Sequence, residues 1–148
     1  MRVRPCRGPG SFLLAINDSF FYTTYKIGSQ KGEVLWKKYC VGVDVGGTTV
    51  KLGLFQTDGK LIFKWEIPTR KEDSGKYILE DVSVAVREVL RERQIHLEQV
   101  VGVGLGVPGP VLPDGQVERC VNLGWHNVNP QSQLSSFLDG ILVKSGNV

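Results

Sequence analysis

The sequence has 148 residues, of which 41% are hydrophobic and 22% are charged, and this length and composition suit one globular domain with a hydrophobic core. The net charge of +3 is unevenly spread: residues 1–38 hold seven Lys and Arg against two Asp and Glu, and residues 39–148 hold eleven against thirteen. The main body, with a balance of −2, therefore lacks the basic field of a nucleic-acid-binding protein, and we exclude nucleic acid as a partner.

Residues 1–38 differ from the rest of the sequence. They show no sustained periodicity and contain Gly-Pro-Gly at residues 8–10 and an aromatic cluster at residues 20–22. We expect poor order or at most a marginal hairpin in this N-terminal extension. A purine-rich codon run resembling a ribosome-binding site could encode residues 31–34, so a wrongly assigned translation start is one hypothesis, and a natural extension is the other.

Three short apolar runs follow, at residues 39–45, 50–55 and 61–67. Two adjacent glycines separate the first run from the second. Asp58-Gly59, a strong hairpin signal, separates the second run from the third. This pattern predicts three consecutive antiparallel strands.

A helix is predicted over residues 74–93, because apolar residues recur there at helical spacing and charged residues fill the opposite face. Asp73 or Ser74 can cap its first turn. Residues 100–107 are apolar nearly throughout, which predicts a strand buried on both faces.

The last third of the sequence predicts one irregular segment, one helix and one strand. Residues 108–124 contain prolines and an Asp-Gly pair and are expected to be irregular. A helix is expected over residues 131–138, with Pro130 favourable at its first position. A fifth strand is expected over residues 141–144. Together these elements predict an α/β domain with a mixed sheet of about five strands and flanking helices.

The strongest chemical signal is the run Asp-Val-Gly-Gly-Thr-Thr at residues 44–49, between the first two of these strands. Two adjacent glycines let the backbone turn tightly and bring N–H groups close to an anion. Asp44, at the end of the first strand, is suited to hold a hydrated Mg²⁺ that neutralises phosphates. The candidate phosphate ligands are Gly46, Gly47, Thr48, Thr49 and Lys51. A plain hairpin whose glycines only make the turn is the alternative, and no Walker P-loop occurs in the sequence.

A literal Gly-x-Gly-x-x-Gly at residues 104–109 suggests dinucleotide binding, an interpretation that we reject. Such a motif must open a helix whose N-terminus faces the pyrophosphate, whereas prolines and an Asp-Gly pair follow here. Gly109 instead indicates close approach of the backbone to a ligand at the end of a buried strand. A glycine-rich strand packed tightly against the helix is the structural alternative.

The order of these segments resembles the ROK family of sugar kinases, which share the actin-like, ribonuclease-H-like ATPase fold. Residues 44–49 are similar to the first phosphate motif of that family, and residues 104–110 to its Gly-x-Pro-Gly-Pro segment. Residues 122–125, Asn-Leu-Gly-Trp, are similar to the Asn-Leu…Trp stretch that follows it. Residues 144–147 are similar to the run into the Gly-Asn-Asp motif. The resemblance covers about residues 39–147.

The resemblance implies a kinase that uses ATP and Mg²⁺ to phosphorylate a hexose. Residues 49–51, Thr-Val-Lys, favour its glucokinase branch and therefore glucose. By position, the resemblance assigns Asp44 to Mg²⁺ through water, and the phosphate ligands named above to ATP. It assigns contacts with the sugar to Gly109, Asn122 and Asn147.

The catalytic base of the family, an Asp, would follow Asn147 directly, and this sequence has Val148 there. We therefore assign no catalytic residue, and expect residues 39–148 to be the N-terminal lobe of such a kinase, inactive by itself. The second lobe is expected to be absent from this chain, and with it the adenosine pocket and the His and Cys zinc site of many members. A homodimer is conceivable for the full-length parent.

Two other interpretations stay open. A sugar-responsive transcriptional regulator of the same family would carry a winged-helix segment before the phosphate motif, and residues 1–38 are too short and lack that pattern. A truncated gene product without activity is the other interpretation.

The remaining residues predict a cytoplasmic protein without a metal-ligand set of its own. The three cysteines lie far apart and form no Cys-x-x-Cys pair, which favours a reducing compartment. No run approaches the ~20 apolar residues of a membrane span, so no membrane partner is expected. His96 is expected to be solvated and His126 structural rather than catalytic.

Overall fold

The computed structural model describes residues 2–5, 11–16, 19–24 and 38–147. Near the N-terminus, β1 (Arg2–Pro5), β2 (Ser11–Ile16) and β3 (Ser19–Thr24) form a three-stranded antiparallel sheet. Three paired strands are more structure than the expected marginal hairpin. The other residues of the segment 1–37 lie outside the described residues. A division into an extension and a lobe over residues 39–148 stays a prediction.

The main sheet begins with three antiparallel strands, β4 (Tyr39–Val45), β5 (Thr49–Gln56) and β6 (Leu61–Pro68), which confirms the strands predicted from the two hairpin signals. In the turn between β5 and β6, the Lys60 N–H donates to Asp58 Oδ1 at 2.9 Å, and Gly59 has a φ of 100°. An Asp that bonds the nearby backbone and a glycine with positive φ are typical of tight turns.

The helix predicted over residues 74–93 begins later than expected. A single turn, α1 (Glu72–Gly75), precedes α2 (Ile78–Glu92), and the three residues 73–75 have φ values of 51°, 59° and 68°. These left-handed angles prevent a right-handed helix from running through the segment. The predicted capping by Asp73 or Ser74 is therefore wrong: Tyr77 precedes α2, without a side-chain cap bond.

β7 (Val100–Val107) follows α2, and all eight of its residues are buried, as predicted. The segment 108–124, predicted to be irregular, contains a strand. β8 (Val117–Cys120) pairs antiparallel with β9 (Trp125–Val128) across a 3₁₀ turn at Val121–Leu123. The reason for this correction is local, because each strand has only four residues, too few to show a pattern.

α3 (Pro130–Phe137) begins at the predicted proline, and the Asn129 side chain caps it by accepting from the Ser132 N–H at 3.0 Å. The last strand, β10 (Val143–Asn147), lies further along than the predicted 141–144, because its second half is polar and gives no apolar signal. β10 pairs parallel with β7, and β7 pairs parallel with β4. The sheet order is β10-β7-β4-β5-β6, and this mixed five-stranded sheet with flanking helices confirms the predicted α/β fold.

One hydrophobic core joins the main sheet to both longer helices. It contains buried side chains from β4, β5, β7 and β10 together with apolar residues of α2 and α3. The two helices are also linked where Arg87 Nη2 donates to the Phe137 carbonyl at 2.8 Å. The loops at the strand ends are therefore held by a close-packed scaffold.

Candidate functional site

The carboxyl ends of three parallel strands meet at one edge of the main sheet. Asp44 of β4 lies beside Gly106 of β7 in the register, and Gly106 lies beside Gly146 of β10. Asn147, the last residue of β10, lies beside Val107. In open α/β sheets, ligands bind in the crevice outside these carboxyl ends. The ends of β4, β7 and β10 therefore mark the candidate site.

The turn between β4 and β5 (residues 44–51), which we name the phosphate hairpin after its predicted role, is tight. The Gly46 N–H donates to the Thr49 carbonyl at 3.0 Å. A Cβ on Gly46 would lie only 2.6 Å from that same carbonyl oxygen, closer than real Cβ atoms come to other atoms. This position therefore requires glycine. Thr48 is exposed at the tip of the turn, where a ligand can reach it.

Thr69, directly after β6, holds the phosphate hairpin from the side. Its N–H donates to the Thr48 carbonyl at 2.9 Å, and its hydroxyl donates to the Gly46 carbonyl at 2.7 Å. The next residue, Arg70, is bound to α2, because its Nη2 and Nε donate to the two carboxylate oxygens of Asp81 at 2.6 and 2.9 Å. Two adjacent residues thus connect the hairpin to the helix.

Three charged residues lie opposite one another beside the phosphate hairpin. The register pairs Asp44 of β4 with Lys51 of β5, and Lys51 with Glu66 of β6, so the three side chains share one face of the sheet. Asp44 is half-buried, and the other two are exposed. Lys51 therefore lies between the two carboxylates in the strand register.

Two close approaches of the backbone bring the hairpin near the residues predicted to contact a sugar. A Cβ on Gly47 would lie 3.8 Å from the Asn122 carbonyl oxygen, and a Cβ on Gly109 would lie 3.5 Å from the Cβ of Cys120. The Cys120 thiol donates to the Pro108 carbonyl at 3.2 Å. The β8–β9 segment therefore touches both the phosphate hairpin and the loop after β7.

The remaining candidates lie at the margins of this site. Asn147 and Asn122 are both exposed, and Asn147 is placed there by the pairing of β10 with β7. Two residues before it, the Ser145 N–H donates to Gln131 Oε1 of α3 at 3.3 Å, which ties β10 to the helix. Lys51 lies two residues into β5, beside Asp44 rather than at the tip of the turn.

A cavity of about 270 Å³ lies away from these residues, beside the left-handed turn α1. Its lining residues include Asp73, Lys76, Trp125 and His126. The Trp125 indole N–H donates to the Gly75 carbonyl at 3.1 Å.

In the part of the chain that the structure describes, no group of three or more His, Cys, Asp or Glu side chains could hold a metal ion. None of the helices in the described ranges has both the length and the hydrophobicity of a membrane-spanning helix.

Sequence patterns did not indicate the residues that hold the site in place. Thr69, Cys120 and Gln131 each bond to a segment far away in the sequence, and none belongs to a recognisable motif. Glu66 was missed for the same reason, since only the strand register places it opposite Lys51. One sequence signal could have indicated Thr69. It directly follows the third strand of an antiparallel meander, and the end of that strand lies beside the turn between the first two strands.

Comparison with known proteins adds a family and its relatives. The model of the ROK family matches residues 40–140. The chain is 40% identical over 91 residues to a glucokinase of Halalkalibacterium halodurans, a stretch that covers 61% of this chain and 28% of that protein. It is 27% identical over 89 residues to a putative xylose repressor of a Caldicellulosiruptor species, which covers 60% of this chain and 22% of the repressor. The matched stretches thus span less than a third of these curated relatives.

Solved structures show the same fold. A ROK hexokinase from Thermus thermophilus superposes with a TM-score of 0.60 at 27% identity, over 74% of this chain and 35% of the hexokinase. A ROK family glucokinase from Streptomyces griseus, in complex with glucose and AMPPNP, superposes with a TM-score of 0.62 at 23% identity, over 74% of this chain and 33% of that one. With a five-stranded sheet of this order and a family model that matches more than half of its residues, the chain belongs to the ROK family.

Proposed function

We propose that this chain is the N-terminal lobe of an ATP-dependent hexose kinase, which transfers the γ-phosphoryl group of ATP to the 6-hydroxyl of a hexose, with glucose as the substrate. The observation that carries the proposal is the close approach of Gly47 in the phosphate hairpin to Asn122, at the edge of the sheet where Gly109 and Asn147 also lie. A phosphate donor on the hairpin and a sugar on the other residues would be neighbours. Phosphoryl transfer depends chiefly on such positioning.

In this proposal the phosphate hairpin holds the phosphates of ATP. Gly46 and Gly47 let the backbone approach the ligand, and Thr48 and Thr49 add hydroxyl donors. Lys51 adds a positive charge from the neighbouring strand position. Backbone N–H groups of a tight turn and an ammonium group together match the charge and the acceptors of a phosphate.

The residues present fit a magnesium ion. Mg²⁺ is usually bound through one or two carboxylates, several waters and the phosphates of the substrate. Asp44 is a half-buried carboxylate at the end of β4, directly before the hairpin glycines, and it would hold the ion through water. When bound, the ion would neutralise negative charge on the phosphates.

Three residues would contact the sugar. Gly109 lies two residues after the end of β7, and the exposed amides of Asn122 and Asn147 can both donate to and accept from sugar hydroxyls. The family resemblance places the general base directly after Asn147, and the side chain of Val148 offers no proton acceptor. Because general-base catalysis contributes about 10²–10⁴-fold, we expect binding rather than turnover from this chain.

We also place the protein in the cytoplasm. Cys40 and Cys120 are buried free thiols, and thiols stay reduced in that compartment. Burial raises the pKa of the Cys40 thiol to about 12, so this cysteine is a structural rather than a reactive group.

An NMR titration of the ¹⁵N-labelled chain tests the proposal. Magnesium tripolyphosphate and MgATP should move the amide resonances of Gly47, Thr48 and Thr49. Lys51→Gln should weaken that response, because it removes a charge beside the hairpin. Lys64→Gln is the matched control, since Lys64 is an exposed lysine on the adjacent strand β6 and should leave the titration unchanged.

A glucose titration tests the other half of the site. It should move the amide resonances of Gly109 and Asn122. Micromolar ATP binding that survives Asp44→Ala and Thr48→Ala together would place the nucleotide elsewhere and contradict the proposal. Glucose binding without any response of the hairpin to polyphosphate would instead favour a sugar-responsive regulator of the same family.

A further inference from the structure

We propose that Thr69 is a positioning residue for the phosphate hairpin: its hydroxyl holds the Gly46 carbonyl and thereby keeps the N–H groups of Gly47 and Thr49 directed at the phosphate. The part of this inference that concerns phosphate rests on the proposed function, in which the hairpin is the phosphate-binding element. The role of Thr69 within the hairpin depends only on the hydrogen bonds described above.

The first step concerns the direction of the peptide groups. In a planar trans peptide, the carbonyl of one residue and the N–H of the next point in opposite directions. The Thr69 hydroxyl fixes the Gly46 carbonyl at 2.7 Å and so fixes the N–H of Gly47. The Thr69 N–H fixes the Thr48 carbonyl at 2.9 Å and so fixes the N–H of Thr49. Both N–H groups therefore point away from Thr69.

The second step concerns competition for one acceptor. In a four-residue turn, the carbonyl of the first residue often accepts from the N–H of the fourth, which here would join Gly46 and Thr49. The Thr69 hydroxyl occupies one of the two lone pairs of that same carbonyl and holds the oxygen towards Thr69, which disfavours this bond. Among the backbone hydrogen bonds of the described residues, Gly46 and Thr49 are joined only by the reverse bond, from the Gly46 N–H to the Thr49 carbonyl. The Thr69 hydroxyl therefore keeps the Thr49 N–H available to an anion.

The third step concerns how firmly Thr69 is placed. Pro68 before it is the last residue of β6, where it lies opposite Thr49 of β5. Arg70 after it makes two hydrogen bonds to the Asp81 carboxylate on α2. Thr69 is thus fixed on both sides, by the sheet and by the helix, and can hold the turn in one conformation.

Amide hydrogen exchange of the full chain, measured without ligand, tests the competition. Thr69→Val keeps the shape of the side chain and removes the hydroxyl, so the Gly46 carbonyl is no longer held towards residue 69 and can turn to accept from the Thr49 N–H. Exchange of the Thr49 amide should then slow about tenfold. Thr69→Ser should restore the wild-type rate, and Thr57→Val, in the turn between β5 and β6, should leave it unchanged.

The titration with magnesium tripolyphosphate, repeated on the same variants, tests the link to the ligand. The apparent Kd should rise about tenfold in Thr69→Val and return in Thr69→Ser, because one donor to a charged group is lost. Unchanged or faster exchange at Thr49 in Thr69→Val would overturn the inference, since loosening alone would give that result. Slower exchange with no phosphate response in any protein would overturn the proposed function and the ligand part of the inference.

If Thr69→Val does not fold, the amides of β7 will lose their protection from hydrogen exchange. A measurement on the wild-type chain then tests the inference instead. The Thr49 amide resonance should shift steeply with temperature, as amides without an intramolecular bond do. A shallow shift would mean that its N–H is already bound within the protein, which would overturn the inference without any variant.

Discussion

Gly75 and Gly140 are a matched pair for substitution by alanine. Both have positive φ angles, 68° and 81°. A Cβ on Gly75 would overlap the carbonyl oxygen of Leu123 and lie 2.9 Å from the indole nitrogen of Trp125. Among the described residues, no heavy atom lies within 4 Å of a Cβ on Gly140. The two substitutions therefore share a backbone cost and differ in a steric one.

The difference in stability follows from these contacts. A left-handed conformation costs a non-glycine residue about 1–2 kcal/mol, so Gly140→Ala should lower the free energy of unfolding by about that amount. At position 75 the methyl group must also displace the turn, which breaks the buried bond from Trp125 Nε1 to the Gly75 carbonyl. An unpaired buried donor adds about 1–3 kcal/mol. Gly75→Ala should therefore cost about 2–5 kcal/mol, a large part of the roughly 5–15 kcal/mol of a typical domain.

Urea denaturation followed by circular dichroism measures both changes at 25 °C. Trp125→Phe removes the indole donor, so its cost and that of Gly75→Ala should not add when the two are combined. Equal losses for Gly75→Ala and Gly140→Ala would refute the reasoning, because they would show that the contacts of Gly75 carry no cost. Full additivity with Trp125→Phe would refute the part played by the hydrogen bond.

Three further predictions concern pH, nucleotide and activity. Burial raises the pKa of the Cys40 thiol from 9.0 to about 12, so the unfolded chain loses this proton first, and the free energy of unfolding should fall as the pH rises from about 9 towards 12. Cys40→Ala should flatten that part of a urea-denaturation series, and equal slopes in both proteins would contradict the prediction. MgATP should bind with a Kd no tighter than about 1 mM, which corresponds to a binding free energy of only ~4 kcal/mol. NMR titration measures this Kd, and a micromolar value would contradict the prediction. The chain should show no hexose phosphorylation in a coupled assay, because the side chain of Val148 cannot act as the general base. Robust ATP-dependent formation of glucose 6-phosphate would prove this wrong.

The sequence predicts the parts of the fold that depend on neighbouring residues. Asp58-Gly59 specifies its turn through a side-chain bond and a positive φ, both of which are local properties. The run of β7 predicts burial on both faces because it contains no polar or charged side chain. Pro130 likewise marks the start of α3, where its missing N–H costs nothing.

Contacts between distant residues decide the parts that the sequence did not predict. Asp73 and Ser74 are good capping residues by type, yet both adopt left-handed angles. The β9 segment packs against them: a Cβ on Gly124 would lie 3.1 Å from the Ser74 Cα, and the Trp125 indole bonds to the next residue. Since these partners lie about fifty residues away, no local pattern could reveal the shortened helix.

In the candidate site, too, some features could be predicted from the sequence and others could not. The requirement for glycine at position 46 could be predicted, because a tight turn next to a strand end needs close backbone approach. The supporting bond from Thr69 and the position of Glu66 opposite Lys51 could not, because both depend on how three strands align. The ligand roles of the predicted site residues stay predictions.

The order of strands in the main sheet has a consequence for synthesis on the ribosome. β4, β5 and β6 are joined by short turns, so their pairing can form as soon as residue 68 has left the exit tunnel. β7 and β10 pair in parallel across long crossovers and must wait for the later segments. We therefore expect a nascent chain to acquire the hairpin around Gly46 well before the crevice beside it, which closes only when Asn147 has joined β7.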